Sequence, residues 1–330
     1  MDKSTKVKLF LLDNLIWVLV VVFFLVNAVM TPKFASVSNI TNIFYHMSVL
    51  SMLVLGAGLT FVIGQMDLSL ESTTAFAPAV AAVVATKVFP GMNPVLTVFL
   101  TIAVGAVVGL FNGFLVSKVG VNAFLQTLSV NIILRGLAIF LVPYSITQLG
   151  DAYLWLGSGR VGNIMVAVIA IFIIFLVFQY IMKYTRFGRE FISTGGNKQA
   201  SYIAGINTSR ITIWGFVLSG ALAAMAGLLA AGRAGSVSNN MGKDMNMMAF
   251  AGAILGGASL DGGVGMPLGM LGGAILLQMV SNSLTLLGVD VNLVYACKGV
   301  IIFVALLLDH YKADMRSRML MSRQIKAVKG

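Results

Sequence analysis

The sequence has little charge, little proline and almost no cysteine. Only 10% of its 330 residues are charged, where a soluble domain carries about 25%. With 58% hydrophobic residues and a mean hydropathy of +0.96, it has too little polar surface for a dissolved globule. Its one cysteine, Cys297, excludes an intrachain disulfide and reads as a small packing residue. The two histidines, His46 and His310, lie far apart and give no paired metal signature. The run "NMGKDMNMMAF" lacks the regular spacing of a thioether metal site, so no metal is expected. No G-x-x-x-x-G-K-[ST] occurs, so the chain has no phosphate-cradling loop of its own. No nucleophile–base pair is visible either. Neither enzyme chemistry nor a cofactor held by this chain is expected.

What the chain does have is long apolar runs. About 20 such residues cross a bilayer as a helix. Ten candidate spans follow: 10–31, 43–64, 72–89, 94–117, 123–143, 162–183, 211–232, 246–258, 266–287 and 292–309. The expectation is an all-α polytopic membrane protein forming one transmembrane domain over residues 1–330. The apolar run after "MDKSTKVKLF" is too long for a signal-peptide core and lacks a small-residue cleavage site. The third and eighth candidates are weak. One contains Pro78, and the other is short and ends in "GGASLDGGVG". Interrupted segments of this kind line a path more often than they face lipid. Each follows or adjoins a glycine-rich turn carrying an acid, "GQMDLSLEST" and "GGASLDGGVG". That pattern fits either an internal repeat of two halves or chance similarity.

The net charge of +11 is explained by topology. With the N-terminus in the cytoplasm, Lys3, Lys6, Lys8, Lys118, the basic residues of 183–210 and those of the 310–330 tail all fall inside. Lys33, Lys87, Arg160, Arg233 and Lys243 fall outside. This bias puts both termini in the cytoplasm, with the basic tail near anionic membrane lipid. It requires no nucleic acid.

Residues 184–210 form the longest polar stretch between spans. Gly195 and Gly196 are expected to break the chain, and Asn197 to cap a short helix from Lys198 to Ile206 that Gly205 and Asn207 end. A helix of about two turns is unstable alone. It is either a plain connector or a docking surface.

Here "TRFGREFISTGGNKQASYIAGIN" resembles the cytoplasmic coupling loop of the permease subunits of bacterial ABC importers for simple sugars. These are the ribose, xylose and galactoside types, related to branched-chain amino acid permeases. The shared positions include Arg186, Gly188, Gly195, Gly196, Asn197, Gln199, Ala200, Gly205 and Asn207. "FASVSNITNI", "GLTFVIGQMDLSLES", "VNAFLQTLSVNIILRGL", "AGRAGSVSNNMG" and "LGGASLDGGVG" resemble further family segments in the same order. The resemblance implies a bacterial inner-membrane permease. A cytoplasmic ABC ATPase subunit that binds ATP would dock on the loop. An extracytoplasmic solute-binding protein would deliver a sugar, and a second permease, identical or not, would complete the pathway. An ion-coupled secondary transporter and a non-transporting scaffold are the rivals from other classes. A nucleoside, an autoinducer or an amino acid is the rival solute.

Two departures from the family pattern stand out. Gln65 replaces a glycine, and Glu71 stands where a small or apolar residue is usual. Before the eighth span the family has E-L-D-A-I-A, whereas this chain has Asn246-Met247-Met248-Ala249-Phe250-Ala251. A heterodimer, a different solute or drift would each account for the missing acids. Candidate pathway residues are Gln65, Asp67, Ser69, Asn131, Arg135, Asn246, Asn282 and Lys298. Arg135 and Lys298 either meet an acid or snorkel to the interface. The neutral residues either bind solute hydroxyls or join helices. Asp67 is expected to cap the third span. Glu71, one turn on, should repel it unless Lys118, Arg135 or Lys298 is near.

Overall fold

A computed structural model describes residues 14–147 and 150–290, together with 292–294, 296, 297, 299, 300, 303, 304 and 307. The helices are α1 (Leu15–Met30), α2 (Val37–Val62), α3 (Leu70–Val83), α4 (Pro94–Phe114), α5 (Ala123–Leu141) and α6 (Asp151–Ser158). After a small hairpin of β1 (Arg160–Val161) and β2 (Ile164–Met165) come α7 (Val166–Tyr184), α8 (Arg186–Gly196) and α9 (Lys198–Ile203). The remainder is α10 (Thr208–Ala234), α11 (Asn246–Leu255) and α12 (Pro267–Leu286). The architecture is that of an all-α polytopic membrane protein. Among the described residues six helices are long and apolar enough to span a bilayer, while α1 and α11 are shorter apolar helices. The tenth expected span, 292–309, lies partly outside the described residues, as do Lys298 and the 310–330 tail.

Burial sorts these helices. The most apolar stretch of α2 is 83% buried and that of α5 only 22%. The exposed side chains of α4, α5 and α7 are large and apolar, among them Phe99, Phe111, Ile132, Phe140 and Leu176. Polar coats are absent there because lipid, not water, is the solvent. The long α2 starts on Ser36, whose Oγ accepts the Asn39 N–H at 3.3 Å. The long α10 starts on Asn207, whose Oδ1 accepts the Arg210 N–H at 3.0 Å. These caps satisfy amides that the first helical turn leaves free.

Glycine spacing lets the central helices touch backbone to backbone. Gly105, Gly109 and Gly113 of α4 lie against Gly220, Phe216 and Ile213 of α10. Gly269 and Gly273 of α12 lie against Gly256 and Gly252 at α11. Both rows are packing faces, the usual use of small residues four apart in a membrane.

Two short helices depart from straight spans. The helix α3 has 14 residues, contains Pro78, and continues into a π-turn at Val84–Val88. The helix α11 has 10 residues. The two glycine-rich turns compared in the sequence are not equivalent, because "GQMDLSLEST" leads into α3 whereas "GGASLDGGVG" follows α11. They are nevertheless neighbours, with the Gly263 N–H donating to the Val62 carbonyl at 2.8 Å.

The segment between α5 and α7 is more ordered than a loop. Its Ile146 forms a two-way backbone bridge with Val237. In α6 the Tyr153 hydroxyl is hydrogen-bonded to Thr101 of α4. A helix of eight residues leaves no readable period in the sequence.

Candidate functional site: a joint between two half-helices

The N-termini of α3 and α11 face each other inside the protein. Asn246, the first residue of α11, donates from Nδ2 to the Leu68 carbonyl at 2.7 Å and accepts the Glu71 N–H at 3.1 Å. One side chain thus holds the start of both helices. Both positive helix ends therefore point into the same region, which favours negative charge there. This answers why Asp67 and Glu71 occupy a break between apolar segments.

The two acids differ in environment. Asp67 is fully buried. Its Oδ1 accepts the N–H of Ser69 at 3.0 Å and the hydroxyl of Ser69, and its Oδ2 accepts the hydroxyl of Ser219 at 2.7 Å. The expected cap is displaced by two residues: Ser69 is the N-cap of α3, and Asp67 instead holds the N–H and hydroxyl of that Ser69 and also binds across to α10. The chain of bonds continues outward. Asn112 Nδ2 donates to Ser69 Oγ at 2.9 Å, and Gln126 Nε2 donates to Asn112 Oδ1 at 3.4 Å. Hydrogen bonds to a charged group in a low-dielectric site are worth about 1.5–3 kcal/mol each. Several are needed, because a buried carboxylate without partners is not tolerated.

Glu71 pairs instead with Arg135, Oε1 to Nη2 at 3.0 Å, both side chains partly open. Arg135 Nη1 also donates to the carbonyl of Asn239 at 2.7 Å and, more weakly, to that of Met241 at 3.4 Å. So Arg135 does not snorkel. It fastens α5 to α3 and to the segment that descends into α11. Of the cations considered as neighbours for the acids, Arg135 meets Glu71 among the described residues.

The other sequence candidates divide. Gln65 is partly exposed, and its N–H donates to the Thr60 carbonyl at 2.9 Å. Asn131 has its Oδ1 buried without a hydrogen-bond partner among the described residues. Asn282 pairs both ways with Asn39 at 2.9 Å, which joins α12 to α2. Lys298 lies outside the described residues. Ser219 and Thr127, whose Oγ accepts the Leu68 N–H at 3.0 Å, belong to the joint and carried no sequence signal. A hydroxyl in an apolar helix looks the same whether it serves its own backbone or a distant acid.

The polar loop forms a second part of the site. Gly195 and Gly196 do not break the chain; they are the last helical residues of α8. The Thr185 Oγ caps this helix by accepting the Gly188 N–H at 3.2 Å, and Phe191 anchors it in the core. Asn197 caps α9 as expected, its Oδ1 accepting the Ala200 N–H at 2.8 Å. The helix is shorter than foreseen, ending at Ile203, and Asn207 caps α10 rather than closing α9. Of the remaining loop positions, Arg186 pairs with Glu190 at 2.6 Å, and Gln199 and Ala200 are exposed on α9.

The end of α8 is wedged into the protein. A side chain on Gly195 would collide with the Val62 carbonyl and with Gly263 N at 2.7 Å. Gly262 and Gly263 turn away with φ of +87° and +72°, values that glycine adopts without strain. Three glycine-bearing segments therefore meet: the end of α2, the end of α8 and the turn after α11. The first leads directly to Asp67, and the last descends from Asn246.

A family model described as "Branched-chain amino acid transport system / permease component" matches residues 39–306. The chain belongs to this permease family. Among curated relatives of the permease, the ribose import permease protein RbsC of Escherichia coli (strain K12) is 33% identical, over 92% of this chain and 96% of that protein. The galactose/methyl galactoside import permease protein MglC of the same strain is 31% identical, over 92% and 95%. RbsC of Bacillus subtilis (strain 168) is 32% identical, over 88% and 90%. No solved structure matches this permease. Two of its departures from the family pattern, Glu71 and Asn246, touch each other at the joint.

Proposed function

We propose that this permease carries a simple sugar across the bacterial inner membrane as the translocation subunit of an ABC importer, with both termini in the cytoplasm. The observation that carries the coupling part of this reading is the wedge of Gly195 between Val62 and Gly263. A partner ATPase that binds ATP docks on α9, whose Tyr202 and Ile203 are both exposed. Its closure displaces α8, and the glycine junction passes that motion to both half-helices at once. Backbone contacts suit this role because they deform little.

The pathway runs past the open side of the joint, where Glu71, Arg135 and Gln65 are partly exposed and Asn131 lies one turn before Arg135 on α5, while Asp67, Ser69 and Asn246 hold the helix ends behind it. A paired Glu71–Arg135 offers donors and acceptors with no net charge, which suits the hydroxyls of a neutral sugar. The names of the ribose and galactose relatives support the same solute class. A solute-binding protein delivers the sugar outside, and a second permease subunit completes the pathway.

Uptake of radiolabelled ribose and galactose by cells carrying the whole importer tests the solute. Copurification of the ATPase with a Tyr202→Asp/Ile203→Asp chain tests the dock. The expected result is loss of the ATPase and of uptake from a chain that still inserts. Uptake that survives ATP depletion and collapses with the proton gradient would instead establish an ion-coupled transporter.

A further inference from the structure

The outward side of the α4–α10 pair carries a groove that the transport reading does not use. It encloses about 320 Å³ between Ala106, Val107 and Leu110 of α4 and Ile213, Trp214 and Val217 of α10. The close glycine contacts explain it. Gly105, Gly109 and Gly113 bring the two backbones together, so the outward side chains stand as two ridges with a furrow between them. Every lining side chain is apolar except for the indole N–H of Trp214. Trp is favoured where an apolar slot meets the polar membrane interface.

One end of the furrow is basic. Arg210 stands three and four residues before Ile213 and Trp214 and seven before Val217, which places it on the same helix face. Lys118 lies in the π-turn Leu115–Val119 that follows α4. The two ends adjoin, because the Ser209 hydroxyl donates to the Ser117 carbonyl at 3.4 Å. Lys118 and Arg210 are both exposed, and neither is in an ion pair among the described residues. An apolar slot closed by two unpaired cations and one indole has the chemistry of a lipid with a negative headgroup.

We propose that this groove binds one anionic phospholipid, with an acyl chain along Leu110 and Val217 and the phosphate between Lys118 and Arg210. The lipid comes from the leaflet on the basic side, the cytoplasmic one in the orientation proposed above. A covering protein helix would need acids opposite these cations, and would shield Trp214 from lipid.

The full-length chain has three tryptophans. In a Trp17→Phe/Trp155→Phe background, Trp214 alone reports on the groove. Brominated phosphatidylglycerol should quench it at a lower mole fraction than brominated phosphatidylcholine. Each basic residue near an anionic surface contributes about fivefold in affinity. The preference should therefore fall about fivefold in Lys118→Gln or Arg210→Gln, and vanish in the double variant. Equal quenching by both lipids, or a preference that survives the double variant, overturns the proposal. So does a Trp214 that neither lipid quenches, which would mean that protein covers the groove. Native mass spectrometry of the chain with its tryptophans intact is the second measurement. One retained phosphatidylglycerol, lost in the double variant, is expected, and retention unaffected by that variant also overturns the proposal.

Discussion

At the joint where α3 and α11 begin, side chains do the holding, whereas where α8 meets the end of α2 and the turn after α11, backbone meets backbone. The joint uses Asp67, Ser219, Asn246, Glu71 and Arg135, linked by directional hydrogen bonds. The junction uses Gly195, Gly262 and Gly263, whose missing side chains allow contact. Chemistry therefore governs the first region and volume the second. A charge can be altered at the joint without moving the helices, and a methyl group cannot be added at the junction without moving them.

The largest effect should come from removing the carboxylate at the joint. Asp67→Ala strands the Ser69 N–H and the Ser219 hydroxyl, each about 1–3 kcal/mol when left unpaired, so a loss of about 3 kcal/mol is expected. Thermal unfolding of the purified chain in detergent measures it; a loss below about 1 kcal/mol would remove the idea that Asp67 organises the joint. Asp67→Asn keeps an acceptor and should lose less.

Next is the volume test at the junction. Gly195→Ala has no room and should cost about 2 kcal/mol through overpacking, with uptake falling at least about tenfold through lost preorganisation. Gly196→Ala has its nearest neighbour at 3.7 Å, ordinary contact, and should stay within about 0.5 kcal/mol. Uptake that is the same in these adjacent variants would break the distinction between the two regions.

A smaller effect is expected from Asn246→Ala, about 1–2 kcal/mol, because two backbone groups lose one partner. The smallest belongs to the open ion pair. A double-mutant cycle with Glu71→Gln and Arg135→Gln should give a coupling of about 1 kcal/mol, reduced by salt. Transport should fall less in Glu71→Gln than in Asp67→Asn, and the reverse order would show that the partly exposed acid, not the buried one, is the critical group.

Much of the scaffold was legible because hydrocarbon imposes simple rules. Span positions and the cap at Asn197 followed from apolar length and local hydrogen bonding, whereas the N-cap of α3 is Ser69 rather than Asp67. The interrupted segments at α3 and α11 were visible from Pro78 and from shortness. The helix through Gly195 and Gly196 was not, because glycine lowers helix propensity while the anchor of Phe191 and the surrounding notch outweigh it. The eight residues of α6 were missed because a helix that short has no readable period. For Asn282 the sequence left open a solute contact or a bond between helices, and the structure shows its bond to Asn39 of α2.

The sequence by itself determined that this chain lives in a membrane, where its long apolar helices run and which family it joins, since these depend on apolar length and ordered motifs. Only the tertiary structure decided that Asp67 answers to Ser219 and Glu71 to Arg135, and that three glycine segments share one junction. Asp67 and Ser219 lie 152 residues apart along the chain, and Val62 and Gly263 lie further apart still; a hydrogen bond or a close backbone contact at such separations leaves no periodic trace in sequence.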